Sequence, residues 1–171
     1  QLLFTNARIF DGAGADCAEG MFVRVADGLI QEISAQPITA PAARVIDASG
    51  CTLMPGLIDA HVHAFASDVD VRKVESLGEA YRTAHAVRML GHALGCGFTT
   101  VRDVGGGNHS LARALADGLI DGPRFLYSGK VLSMTGGHGD IRSIEERPRY
   151  QALCACGDGP LFNTFAVMAD G

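Results

Sequence analysis

Short apolar-rich runs punctuated by tight-turn residues fill the first third of the chain. Runs at 2–10, 21–26, 29–34 and 44–48 have the alternating or β-branched character of strands. Asp27-Gly28 separates the second run from the third, and this dipeptide suits a two-residue hairpin turn because both positions accept positive φ. Residues 35–43, with Pro37 and Pro41, read as loop. The pattern then changes: Thr52-Leu53-Met54 meets Pro55-Gly56 and resumes as Leu57-Ile58-Asp59-Ala60-His61-Val62-His63. A shift of this kind marks a domain boundary, with 1–56 on one side and 57–171 on the other.

Beyond the boundary the period lengthens. Leu77, Tyr81, Ala84, Val87, Gly91 and Leu94 recur at three- and four-residue steps, which predicts one amphipathic helix over 74–94. Gly95-Cys96-Gly97 stops it. Residues 98–104 read as a buried strand, Gly105-Gly106-Gly107 as a loop, 110–119 as an Ala- and Leu-rich helix, and 124–128 as a third short strand after Gly122-Pro123. This alternation predicts an α/β protein with a parallel sheet and right-handed crossovers.

Composition narrows the function classes. The chain has 171 residues, 47% of them hydrophobic, and a net charge of −5. A complete eight-stranded α/β barrel, at about 250 residues, does not fit this length. No run approaches the roughly 18 apolar residues of a membrane helix, so no membrane association is expected. The lysines are Lys73 and Lys130, and without a basic cluster there is no electrostatic footprint for nucleic acid. Cys17, Cys51, Cys96, Cys154 and Cys156 are odd in number and irregularly spaced, which points to a reducing compartment rather than a disulfide framework. The opening Gln1-Leu2-Leu3-Phe4 has no basic-then-apolar leader, and a cytoplasmic protein is expected.

Side chains of a strand alternate between faces, so Asp59, His61 and His63 are expected on one side, with Ile58, Ala60 and Val62 on the other. Two imidazoles delivered to one point by a rigid strand suit zinc and similar divalent ions. A bare His-x-His also occurs on exposed strands with no ligand role. This one ends an apolar strand, where two polar rings facing a core would otherwise lack partners.

These residues carry a family resemblance. Met54-Pro55-Gly56-Leu57-Ile58-Asp59-Ala60-His61-Val62-His63, preceded by Val45-Ile46-Asp47-Ala48-Ser49-Gly50, resembles the opening of the metal-dependent amidohydrolase superfamily. Phe98-Thr99-Thr100-Val101-Arg102-Asp103-Val104-Gly105-Gly106 is similar to its second barrel strand. Gly122-Pro123-Arg124, then Ser128-Gly129, then Met134-Thr135-Gly136-Gly137-His138-Gly139-Asp140 are similar to the third strand and its loop. The last pattern narrows the resemblance to the imidazolonepropionase-like and Xaa-Pro or Xaa-Arg dipeptidase branch. Nearly the whole chain is covered, but only the first third of such an enzyme.

The resemblance implies the first part of a (β/α)8 TIM-type barrel preceded by a small β-sandwich portion. Residues 1–56 would be the sandwich portion and 57–171 the first β/α units of an incomplete barrel. It implies one or two divalent metals, zinc foremost, with His61 and His63 matching the first two ligands and a metal-activated water attacking an amide carbonyl. The expected function is hydrolysis of a C–N bond in a dipeptide or acylated amino acid, by a dipeptidase of Xaa-Pro or Xaa-Arg/Lys type. A cyclic-amide hydrolase or an aminohydrolase acting on a heterocycle would use the same two ligands. The alternative of another class is a truncated non-catalytic fragment or scaffold. The family's bridging Lys, two later His and catalytic Asp have no match, since Lys73 and Lys130 stand elsewhere and 163–171 is read as stopping before the strand that carries the Lys. No catalytic residue is identifiable on this reading, and a homo-oligomer acting on a small molecule is expected by analogy.

His138, in its Gly-rich loop, reads as a substrate contact or as a solvated loop histidine. Asp59 and Asp103 are candidates to orient a ligand histidine from behind, and Asp103 equally to pair near Arg102. His85 and His92 are expected on the surface, and His109 as a helix cap or a solvated residue. Gly105-Gly106-Gly107-Asn108 lacks a phosphate-loop pattern and reads as an active-site loop. Cys154 and Cys156 are expected as partly buried thiols.

Overall fold

The computed structural model describes residues 1–145 and 165–170. The chain folds as two compact units, Gln1–Pro55 and Gly56–Gly171. Cys154 and Cys156 lie outside the described residues.

The first unit is one mixed sheet of β1 (Leu2–Ile9), β2 (Ala18–Ala26), β3 (Leu29–Ser34), β4 (Arg44–Asp47) and β5 (Thr52–Leu53). Its order is β3-β2-β1-β4, and β5 also pairs with β1. Strand β1 runs antiparallel to β2 and parallel to both β4 and β5. The β2–β3 turn has φ of 53° at Asp27 and 74° at Gly28, the two positive values that an Asp-Gly dipeptide readily supplies. Leu3, Ala7, Val23, Ala26 and Ala48 are buried, whereas Leu29, Ile30, Ile33 and Val45 remain exposed. Among the described residues this unit has one sheet.

The second unit alternates strands and helices: β6 (Leu57–Val62), α1 (Val71–Glu75), α2 (Glu79–Gly95), β7 (Phe98–Asp103), α3 (His109–Ala116) and β8 (Arg124–Tyr127). The sheet order β6-β7-β8 is parallel throughout, which is the expected grammar. Two short strands that the sequence pattern does not predict, β9 (Val131–Ser133) and β10 (Ala166–Met168), pair in parallel. The stretch 163–171, read from the sequence as stopping before the Lys-bearing strand, holds the short strand β10, which carries no Lys. Three residues are too few to show a period, and their partner lies more than thirty positions away.

The single helix expected over 74–94 is two helices. Asp70 caps α1 by accepting the Arg72 N–H, Ser76 closes it with its N–H on the Arg72 carbonyl, and Gly78 restarts the chain in extended backbone. The buried stripe of α2 also differs from the expected one, because Arg82, Ala86 and Leu90 face inward while Tyr81 is 61% exposed. Only Val87 of the expected stripe packs on the core cluster of Ala64, Phe65, Ala86, Leu90, Val101, Leu111 and Phe125. Four-residue spacing puts Ala86 and Leu90 in the cluster with Val101 of β7, and leaves Tyr81 on the exposed side of the helix.

Candidate functional site

Strand β6 ends at Val62, and the apolar packing of Val62 on the core turns the neighbouring positions the other way. His61 and His63 are thereby brought together, with ring centroids 5.4 Å apart and planes at 75°. Both line a cleft of about 850 Å3. His138 lines it too, from the loop after β9, so the three histidines expected at the site share one cavity. Among the described residues no group of three or more His, Cys, Asp or Glu is close enough to hold a metal ion. His138 lines the same cleft but does not cluster with the pair.

Asp59 does not join them, contrary to the expected common face. The β6–β7 register slips between Asp59 and Val62, so that three steps along β6 match two along β7, and strict alternation is lost at this bulge. The Asp59 carboxylate turns back onto its own strand and accepts the His61 backbone N–H at 3.0 Å. It restrains the backbone of a ligand candidate, not its ring.

Asp103, at the end of β7, is fully buried. Its Oδ2 accepts the Ala64 N–H at 2.7 Å, and its Oδ1 accepts the N–H groups of Gly105 at 3.0 Å and Gly107 at 2.8 Å. Neither of the two roles open to it is realised directly, since its carboxylate is held by backbone amides. The Gly105 carbonyl in turn faces His63 Nδ1 at 3.3 Å.

The His138 loop is tied at several points. Asp170 accepts the Thr135 N–H at 2.7 Å and the Thr135 hydroxyl at 2.6 Å. Asp140 accepts the Gly136 N–H and takes a two-pronged grip from Arg142, Nε at 2.6 Å and Nη2 at 3.0 Å. The Arg142 guanidinium holds the Asp140 carboxyl far below the usual carboxylate range. Sequence reasoning misses this pair, although an Asp followed two residues later by Arg is its one local signal.

Two more cleft residues escape the sequence. Glu75 on α1 is 7% exposed, lines the cleft and accepts the Phe165 N–H at 3.2 Å. Ala166, the first residue of β10, also lines the cleft and brings only a methyl group. Lys73 instead pairs with Asp68 at 2.7 Å and holds that carboxyl below its usual range, and neither Lys73 nor Lys130 lines the cleft. His92 is exposed, but His85 is half-buried with Nδ1 enclosed and without a hydrogen-bond partner among the described residues, a correction to its expected surface place that follows from the rotated stripe of α2. His109 is the exposed first residue of α3, whose cap is Asn108, with its Oδ1 on the Leu111 N–H at 2.9 Å.

Neutral imidazoles are sound donors for a divalent metal, and the clustered, cleft-facing pair fits as two ligands of such an ion. Ochratoxinase of Aspergillus niger is 42% identical over 98 residues, which are 54% of this chain and 20% of that protein. A dihydroorotase of Pelobacter propionicus is 42% identical over 64 residues, 36% of this chain and 14% of that protein. A prolidase crystallised with N-methylphosphonate-L-proline superposes with a TM-score of 0.83 at 33% identity, covering 99% of this chain and 40% of the prolidase. The chain spans well under half the length of these relatives. The model of the amidohydrolase family matches residues 52–167, a stretch that holds the His-x-His strand, the Asp103 loop and the His138 loop, and the chain belongs to that family.

Proposed function

We propose that the intact polypeptide is a metal-dependent hydrolase of C–N bonds, and that its substrate is a dipeptide of Xaa-Pro type or an acylated amino acid. The observation that carries this reading is the opening of His61, His63 and His138 onto one cleft. His61 and His63 would hold a divalent metal, zinc foremost, through ring nitrogens. When bound, the ion supplies Lewis-acid polarisation of a carbonyl and acidification of water. His138 would contact the substrate, and the aliphatic wall of Val74, Val131 and Ile141 would seat an apolar side chain and exclude water. Asp68 is engaged by Lys73 and Glu75 by the Phe165 N–H, which favours an uncharged side chain over a Lys or Arg one.

The same reading takes 1–56 as a sandwich portion and 57–171 as the opening of a (β/α)8 barrel in the intact protein. Ile58 and Leu126, 70% and 50% exposed, lie where further strands would cover them. Remaining ligands and the proton-transfer group would come from outside the described residues. We extend the reading to a cytoplasmic homo-oligomer on the cysteine spacing and on analogy alone.

Ala166 favours a second reading, a non-catalytic amidohydrolase-like chain, because β10 brings no ionisable group to the cleft. Native mass spectrometry after zinc loading, with an assay of proline release from Xaa-Pro dipeptides by the intact polypeptide, separates the two. Bound zinc with turnover supports the hydrolase; bound zinc or none without turnover of any dipeptide or cyclic amide supports the scaffold.

A further inference from the structure

We infer that Asp103 is a positioning residue that sets the tautomer and orientation of the His63 ring, which rests on the proposed ligand role of His63. The strand β7 delivers Asp103 opposite Val62, one residue before His63. Its carboxylate is enclosed and ends between two backbone segments. Oδ2 holds the N–H of Ala64, the residue after His63, and Oδ1 gathers the N–H groups of Gly105 and Gly107. One side chain therefore fixes the His63 backbone and the loop in front of its ring relative to each other.

The consequence for the ring follows from donor chemistry. A carbonyl oxygen only accepts, so the 3.3 Å contact between His63 Nδ1 and the Gly105 carbonyl is a hydrogen bond when Nδ1 bears the proton. Nε2 is then left unprotonated, with its lone pair available as a donor to a metal. The two glycines are required by the same arrangement. A Cβ on Gly107 would lie 2.9 Å from Asp103 Cγ and Oδ1, and one on Gly105 would lie 3.3 Å from the His63 ring. Among the described residues the His61 ring has no such hydrogen-bond partner, so it serves as an internal control.

The test is long-range 1H–15N NMR of the full chain labelled with 15N-histidine, metal-free and at a pH where imidazole is neutral, for the wild type and Asp103→Asn. The wild type is expected to show His63 with the proton on Nδ1. Asparagine offers one oxygen where the carboxylate offers two, so Ala64 and the glycine loop cannot both be held. In Asp103→Asn the His63 signals are expected to move to a mixed tautomer while those of His61 stay in place. Zinc affinity, measured by competition with a chromophoric chelator, is expected to fall about 10- to 100-fold, the usual loss for a partner that orients a ligand histidine. A wild-type His63 protonated on Nε2, or unchanged His63 signals and zinc affinity in Asp103→Asn, would overturn the inference. If Asp103→Asn fails to fold, Gly107→Ala displaces the carboxylate from the loop side and is read by the same two signals. An Nδ1-protonated His63 that shifts in the variant, in a chain that binds no zinc, would sink the metal reading and leave the ring positioning supported.

Discussion

Gly105 and Val131 approach so closely that a Cβ on Gly105 would stand 2.6 Å from Val131 Cγ2. The loop after β7 thus touches β9, while its carbonyl faces His63. Gly105→Ala must push either Val131 or the His63 ring aside. The expected outcome is a loss of about 1–3 kcal/mol of stability from overpacking. Zinc retention should fall as well. Urea unfolding and equilibrium dialysis of the same preparation check both, and a fully stable variant with wild-type zinc affinity would show that the loop has room to yield.

His61 and His63 are the only described side chains that pair imidazoles at the cleft. Replacing both with Ala in the intact polypeptide is expected to abolish bound divalent metal, and each single replacement to weaken it. Metal content after dialysis, read by mass spectrometry, is the check. An unchanged content in the double variant would remove the pair from the site.

Local chemistry is legible where the residues themselves carry the reason. Asp27-Gly28 announces its hairpin because few dipeptides tolerate positive φ twice. The His-x-His step announces a shared cleft because strand alternation is local. Asp59 is misplaced by the complementary reason: the slip between β6 and β7 depends on the partner strand, which alternation cannot register. The break before α2 is signalled by Gly78 but masked by a hydrophobic period that runs across it. Glu75 and Ala166 reach the cleft through contacts distant in sequence, and no local pattern encodes those. Asp103 has a usable signal, an Asp followed by a run of glycines, since short carboxylate side chains commonly gather nearby backbone N–H groups.

Asp140 and Arg142 are both largely buried, at 0% and 8% side-chain exposure. Asp140→Asn replaces the charged partner in this buried pair by a neutral amide and is expected to cost about 2–3 kcal/mol near neutral pH. The pH dependence has a definite sign. A carboxyl whose folded pKa is lowered stabilises the fold above its unfolded value of about 3.9 and loses that contribution as pH falls below it. The gap between wild type and variant should therefore narrow in urea unfolding repeated at about pH 3. A gap that stays constant from neutral pH to pH 3 would assign the effect to packing instead of charge.

Asn108 caps α3 next to the glycine loop, with its Oδ1 on the Leu111 N–H. Asn108→Ala is expected to lower stability by about 1 kcal/mol, and Asn108→Asp to hold it, because a carboxylate also accepts from that N–H and favours the helix N-terminus. Thermal unfolding of the two variants side by side is the check. Equal losses in both would mean that the cap bond contributes little.

His138 shares the cleft but not the ligand pair, so its removal should separate substrate binding from metal binding. In the intact polypeptide, His138→Ala is expected to keep its zinc content. It should raise KM for an Xaa-Pro dipeptide about tenfold, the equivalent of one net hydrogen bond at roughly 1.4 kcal/mol. The loop itself should persist, because Asp140 with Arg142 and Asp170 with Thr135 hold it on either side of the histidine. Steady-state kinetics together with metal analysis decide between the two roles. Loss of zinc in parallel with activity would turn His138 into a ligand of the loaded protein, and unchanged kinetics would return it to an ordinary loop residue.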